Sequence, residues 1–196
     1  MQKVLVTGGL GYIGSHTVVE LQNAGFKVVI IDNLSNSSLE VLDGIIQITG
    51  KTPLFEKIDL RQKSEVIQFF EKYQDISGII HFAASKAVGE SVENPLLYYE
   101  NNLTTLIYLL QACNNYTIEN FIFSSSCTVY GEPDKLPINE SAPIKKATSP
   151  YGNTKQISEE ILNDFCKVSN LKSIALRYFN PIGAHDSSKI GELPLG

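Results

Sequence analysis

The stretch Thr7-Gly8-Gly9-Leu10-Gly11-Tyr12-Ile13-Gly14-Ser15-His16 constrains this chain more than any other. Its four glycines fall within seven residues, directly after the apolar run Val4-Leu5-Val6. A strand must turn sharply there and re-enter regular structure. Two registers coexist, Gly9-x-Gly11-x-x-Gly14 and Gly8-x-x-Gly11-x-x-Gly14, with Gly11 and Gly14 common to both. Glycine turns arise wherever strands reverse tightly, so the flanking sequence decides the reading. A strand over Lys3 to Thr7 precedes the turn, and a helical pattern with apolar Ile13, Val18, Leu21 and Ala24 follows it. The next apolar run, Lys27 to Asp32, ends in a carboxylate eighteen residues past Gly14. That is close to the roughly twenty-residue spacing at which an acid meets the adenosine ribose hydroxyls of a dinucleotide. The pyrophosphate would sit on the amide groups that open the helix at Tyr12 and Ile13. Asn33, Leu34, Ser35, Asn36 and Ser37 follow Asp32 with no Lys or Arg to receive a ribose phosphate, so NAD is expected rather than NADP.

Beyond this unit, β-rich apolar runs recur at KVLVT, KVVIID, TPLFEKID, ISGIIHFAA, ENFIFSSS and KSIALRYFN, each separated by a helix-sized segment. Six strands alternating with five helices predict an α/β fold: a doubly wound parallel sheet of six or more strands, Rossmann-like, with helices on both faces. Right-handed crossovers give the order 3-2-1-4-5-6, whose ligand crevice opens at the carboxyl ends of strands one and four. The unusual clusters TGG, IDN, IDL, HFAAS, SSSCT and FNP all fall at strand carboxyl ends. At 196 residues the chain can form one well-cored domain, with residues 1–180 as the dinucleotide-binding unit. The Pro-rich passage from Gly131 to Pro143 reads as one surface loop.

The chemistry lies at two of those strand ends. In SPYGNTK, Pro150 marks a first helical turn, and Tyr151 and Lys155 stand four residues apart on one helical face. A phenol has an ordinary pKa of about 10, so serving as a base near neutrality requires a drop of about three, or roughly 4 kcal/mol. An ammonium about 4 Å away supplies that much at an intermediate dielectric, and an oxidised nicotinamide adds a second positive charge. In FSSSCTVYG, strand alternation puts Ser124, Ser126 and Thr128 on one face and Ser125, Cys127 and Val129 on the other. Ser126 is then expected to bridge Tyr151 and a sugar hydroxyl, with Cys127 turned away from substrate.

Composition excludes several classes. With 16 basic and 21 acidic side chains the net charge is −5, and no basic run is present, so neither nucleic acid nor an anionic membrane is expected as partner. The longest apolar stretches are strand-sized and no charged leader precedes the first strand, which predicts a soluble cytoplasmic protein. Cys113, Cys127 and Cys166 are widely spaced and suit neither a disulfide framework nor zinc. His16, His81 and His185 are equally scattered, and no metal site is expected.

The segments TGGLGYIGSH, DNLSNSS, KAVGESVENPLLYYENN, FSSSCTVYG, SPYGNTK and LRYFNPIGAH together resemble the extended short-chain dehydrogenase/reductases, and within them the UDP-glucose 4-epimerase family. HFAAS stands where many members carry HFAGL, and LTT where NGT is frequent. The resemblance implies NAD contacts from Gly8, Gly11, Tyr12, Ile13, Gly14, Asp32 to Ser37, Asp59, Leu60, Phe82, Ala83, Ala84, Ser85, Lys86, Asn101, Tyr151, Lys155 and Phe179, with Asp59 near the adenine and Lys86 near the phosphates. It implies Ser126, Tyr151 and Lys155 as the catalytic group. Ser126, Thr128, Tyr151 and Asn180 would hold the nucleotide sugar. The implied reaction interconverts UDP-glucose and UDP-galactose through a 4-keto intermediate.

Two other readings compete. A nucleotide-sugar 4,6-dehydratase begins with the same oxidation, but such enzymes carry Asp-Glu where this chain has Cys127-Thr128. A non-catalytic NAD-binding regulator would have no need of Tyr151, Lys155 and Ser126 together. The family also has a smaller carboxyl-terminal substrate domain, and residues 181–196 read as its beginning. Finally, the resemblance implies a homodimer through the helices Asn94 to Asn115 and Pro150 to Ser169, with Tyr98, Leu106, Leu110 and Ile161 on their outer faces.

Overall fold

The computed structural model describes residues 2–192. Strands β1 (Lys3–Thr7), β2 (Lys27–Asp32), β3 (Leu54–Lys57), β4 (Ile76–His81), β5 (Asn120–Ser126) and β6 (Lys172–Tyr178) form one parallel sheet in the order β3-β2-β1-β4-β5-β6. The helices are α1 (Tyr12–Asn23), α2 (Glu40–Thr49), α3 (Lys63–Lys72), α4 (Val88–Glu93), α5 (Pro95–Asn115) and α6 (Pro150–Val168). The expected strand order is the observed one. There is one helix more than expected, because the segment between β4 and β5 breaks at Asn94 ahead of Pro95. A residue before proline is pushed out of the helical region, which ends α4 and starts α5.

Strand periodicity explains why the central runs are apolar throughout. Leu5, Val29, Ile31 and Ile79 face one core with Phe69 and Phe70 of α3, Leu106 and Leu109 of α5 and Leu162 of α6. Their chain neighbours Val6, Val28, Ile30 and Ile80 face a second core with Val18 and Val19 of α1, Ile45 of α2 and Ile190. Both faces of the central strands are thus buried, as parallel sheets require. Coverage is uneven at the sheet margin, where Ile174 of β6 is 59% exposed and Leu176 is 39% exposed.

Three of the four expected outer-face residues are core residues instead. Tyr98, Leu106 and Leu110 are buried within this chain, and Ile161 is partly buried against the same cluster. A 21-residue helix presents two apolar stripes, and the one chosen from the sequence packs on the sheet and α6. The exposed apolar residues of α5 are Leu96, Leu97 and Ile107.

Candidate active site

The glycine turn folds tightly on itself. Gly8 has φ +65°, and a Cβ there would lie 2.8 Å from the Ala83 amide nitrogen. A Cβ on Gly14 would run into the Gly8 carbonyl oxygen. The turn therefore joins the end of β1, the start of α1 and the segment after β4, with no side chain between them. No side chain caps α1, so its first amide groups face out of the cradle. Asp32 closes one end: its carboxylate accepts from the Leu10 and Leu34 amides at 3.1 and 3.0 Å and from the Ser37 hydroxyl at 2.8 Å. The group is buried and fixed in orientation, and one Oδ2 lone pair remains uncommitted.

Around the same crevice, Phe82 to Lys86 follow β4, and the buried Asn102 of α5 anchors them. Its Oδ1 accepts from the Ser85 amide at 2.9 Å, while its Nδ2 reaches the Ser85 carbonyl at 3.0 Å and Thr154 Oγ1 at 3.1 Å. Asn101 donates to the Ser85 hydroxyl at 3.1 Å. Asp59 holds Arg61 through both carboxylate oxygens, and that hydrogen bonding keeps its carboxyl below the ordinary value. Leu60 is a core side chain. Lys86, Phe179 and Asn180 are exposed at the rim, with Lys86 Nζ 3.5 Å from Glu192.

Ser126 ends β5, and a 3-10 turn from Cys127 to Tyr130 follows at once. The expected alternation therefore stops at Ser126: in a turn with three residues per cycle Thr128 has no strand face. Ser126 Oγ instead accepts from the Thr128 amide at 3.2 Å. The Thr128 hydroxyl oxygen is buried with no partner among the described residues. Cys127, the first residue of that turn, likewise has no strand face.

Helix α6 is seeded by Ser149, whose hydroxyl accepts from the Gly152 amide at 3.1 Å, and by Pro150 in the first turn. Tyr151 and Lys155 share one face, with Lys155 Nζ 5.8 Å from the Tyr151 ring centroid. Lys155 is buried, donates to the Ser124 carbonyl at 2.7 Å and lies 4.7 Å from the Phe123 ring centroid. Burial pulls its pKa down to about 8, opposed by Glu159. Burial pushes the Tyr151 phenol above its ordinary value, and the Ser126 hydroxyl pulls the other way. Lys155 makes no hydrogen bond to the phenol here, because its ammonium is turned to the backbone of β5.

Three contributors were not legible as site residues in the sequence. His81 is buried beneath the site, bonded through Nδ1 to Thr7 Oγ1 at 2.7 Å, and burial together with Lys155 lowers its pKa to about 3. Asn102 braces the segment after β4, and Glu159 backs Lys155 one helical turn further along α6. A partial signal existed for Asn102 in the Asn101-Asn102 pair inside an apolar helix. Among the described residues no cluster of His, Cys, Asp or Glu suits a metal ion, and no helix is long and apolar enough to cross a membrane.

A doubly wound sheet with a glycine cradle after β1, an acid after β2 and a Tyr–Lys helix face defines a Rossmann-fold protein of the short-chain dehydrogenase/reductase type. Residues 4–193 match the model of the "NAD dependent epimerase/dehydratase family", and the chain belongs to that family. It is 52% identical over 194 residues to the UDP-glucose 4-epimerase of Bacillus subtilis, covering 98% of this chain and 57% of that protein. The mouse UDP-glucose 4-epimerase is 47% identical over 203 residues, covering 100% of this chain and 58% of its own. Among solved structures, the UDP-glucose 4-epimerase of Bifidobacterium longum in complex with NAD+ and UDP superimposes with a TM-score of 0.96 at 44% identity, covering 100% of this chain and 58% of that one. The chain thus spans somewhat more than half the length of the relatives it matches.

Proposed function

We propose that this chain is the NAD-binding and catalytic portion of a UDP-hexose 4-epimerase, interconverting UDP-glucose and UDP-galactose. The observation that carries the reading is the grouping of Ser126, Tyr151 and Lys155 about the carboxyl end of β5, the same edge of the parallel sheet on which the glycine turn follows β1 and Asp32 ends β2. The relatives named above add to it, since several are UDP-glucose 4-epimerases at about half identity.

The residues present fit NAD. The cradle leaves no room for side chains at Gly8 and Gly14 and little at Gly11, α1 opens with uncapped amides for a pyrophosphate, and Asp32 keeps an acceptor position for a ribose hydroxyl. Tyr12, Ile13, Asn33 to Ser37, Asp59, the segment Phe82 to Lys86, Asn101 and Phe179 would complete the site. Bound NAD would supply a reversible hydride acceptor and a positive charge that favours a phenolate.

Tyr151 then takes the proton from the sugar 4-hydroxyl as general base and returns one to the same oxygen as general acid. Ser126 beside it relays that proton for either epimer. Lys155 stabilises the anionic phenol through space from its seat on the Ser124 carbonyl. Thr128, in the turn that follows Ser126, and Asn180, past the end of β6, would complete the hold on the nucleotide sugar. Firm anchoring of UDP with loose holding of the hexose lets the keto sugar present either face.

The proposal extends to a homodimer through α5 and α6, for which exposed Leu96, Leu97 and Ile107 supply apolar area, to residues from 181 onward beginning a substrate domain, and to a cytoplasmic setting. Of residues 181–196, those after 192 lie outside the described residues.

The test joins this chain to the carboxyl-terminal remainder of the Bacillus subtilis relative and supplies NAD with UDP-galactose. Formation of UDP-glucose supports the proposal. A 4-keto-6-deoxy sugar product would instead mark a dehydratase. NAD binding by a folded chimera with no sugar conversion would leave the regulatory reading.

A further inference from the structure

One carboxylate ties β5, α6 and β6 together. Glu159 accepts from Arg177 through both oxygens, Nε to Oε1 at 3.0 Å and Nη2 to Oε2 at 2.7 Å, and from the Ser125 hydroxyl at 2.5 Å. Arg177 also donates Nη1 to the Tyr130 hydroxyl at 2.9 Å. The side chains of Arg177 and Glu159 are only 21% and 14% exposed, so the pair is largely withdrawn from water. Desolvating two ions is costly, and apolar residues of the same volume often serve stability as well or better. Stability alone therefore does not account for a fork of this kind.

What the pair faces gives it a role. Glu159 stands one helical turn beyond Lys155, and the Ser125 hydroxyl it holds directly follows Ser124, whose carbonyl receives Lys155 Nζ. Lys155 is buried and donates to that uncharged carbonyl. From β4 it meets His81, and along α6 it meets Tyr151. Cys127 and the Tyr98–Glu90 hydrogen bond lie around Tyr151. Glu159, four residues on along α6, shares a helical face with Lys155, and its charge opposes the lowering of the lysine's pKa by burial.

We propose that Glu159, anchored by Arg177 and Ser125, is a positioning residue that keeps Lys155 charged and directed at the end of β5. The proposal rests on Lys155 belonging to the reacting group described above. Arg177 sets the strength of the effect: by neutralising part of the carboxylate charge it damps the pull on Lys155, while its bond to Tyr130 holds the turn that follows Ser126. Ser126, Tyr151 and Lys155 thereby share one brace, and the charge of Lys155 depends on both halves of the Arg177–Glu159 ion pair.

The test reads Lys155 directly. The chain is labelled with carbon-13 at lysine Cε, the Lys155 signal is assigned by its loss in Lys155→Met, and pH is titrated. In Glu159→Gln the Lys155 midpoint falls by about one pH unit, because the nearby anion is gone and Arg177 remains. In Arg177→Met it rises, because the undamped carboxylate acts alone. A brace without electrostatic function gives the opposite result in Glu159→Gln: loosening admits water and returns Lys155 upward toward the ordinary 10.5. An unchanged or raised midpoint in that variant overturns the proposal. Should Glu159→Gln fail to fold, Glu159→Asp keeps the charge on a shorter arm. A smaller downward move then supports the proposal, and no move or an upward one overturns it. The titration needs no substrate, so its failure leaves the C4 chemistry standing, and a lack of epimerisation leaves the titration standing.

Discussion

The ammonium of Lys155 donates to the carbonyl oxygen of Ser124 at 2.7 Å while the Tyr151 ring lies beside it, its centroid 5.8 Å away. Lysine is thus committed to the strand, and it reaches the phenol through space rather than by a hydrogen bond. Such an arrangement fixes where the positive charge sits before any substrate arrives. In the proposed mechanism it would separate two roles, the phenol moving the proton and the ammonium setting its energy.

Tyr151→Phe, placed in the chimera described above, should lower epimerisation at least about a hundredfold with NAD still bound, because a general base is lost and little packing volume changes. Lys155→Ala should lose both activity and some NAD affinity. Stopped assays for UDP-glucose alongside cofactor retention on a sizing column check both. Near-normal turnover in Tyr151→Phe would assign the base elsewhere.

Asp32 predicts cofactor choice. Its carboxylate is held by three donors at the ribose end of the cradle, so a 2′-phosphate would meet a fixed negative charge. NAD should bind at least about tenfold more tightly than NADP, roughly 1.4 kcal/mol. Calorimetric titration of the chain with each nucleotide measures the ratio, and equal affinities would contradict the assignment.

Buried His81 makes stability depend on pH on the acid side. Its folded pKa is lowered from 6.5 to about 3, so between those values the unfolded chain binds a proton that the folded chain refuses. Stability is then fully present above the unfolded value and falls as pH drops below it. The window from 6.5 down to about 5 lies above the ordinary carboxylate range. Urea midpoints across it should decline in the native sequence and flatten in His81→Gln. Parallel declines in both proteins would show that another group dominates.

Asn102→Ala should cost about 2–3 kcal/mol, since it strands the Ser85 backbone groups and removes the link to Thr154. Urea denaturation measures the loss. Proteolysis should then cut first between Phe82 and Lys86, and an unchanged cleavage pattern would argue against the bracing role.

The sheet order, the glycine turn, Asp32 and the Tyr151–Lys155 helix were legible because each follows a short-range rule of period or spacing. The misreadings have separate causes. Thr128 and Cys127 were assigned by strand alternation, but β5 stops at Ser126, where a serine hydroxyl captures the Thr128 amide and starts a tighter turn. Tyr98, Leu106 and Leu110 were set on an outer face because a long apolar helix does not announce which stripe meets the sheet. His81, Asn102 and Glu159 escaped because their partners lie far off in sequence: Thr7, Ser85 with Thr154, and Arg177 with Ser125. Side chains that brace a site across several elements leave no local pattern.

Gly14 packs against the Gly8 carbonyl through the backbone alone. That contact exists whether or not a nucleotide is present, so glycine at position 14 is demanded by the closure of the turn before any ligand is considered. Inheritance of the motif is then guarded twice over. A lineage that abandoned its cofactor would still be held to glycine there by the need to fold, and the fingerprint would persist as a fossil of architecture. Substituting Gly14 accordingly reports on folding competence, whereas Asp32, whose carboxylate keeps one acceptor position beyond the donors that hold it, is the position at which drift in cofactor use would first be written.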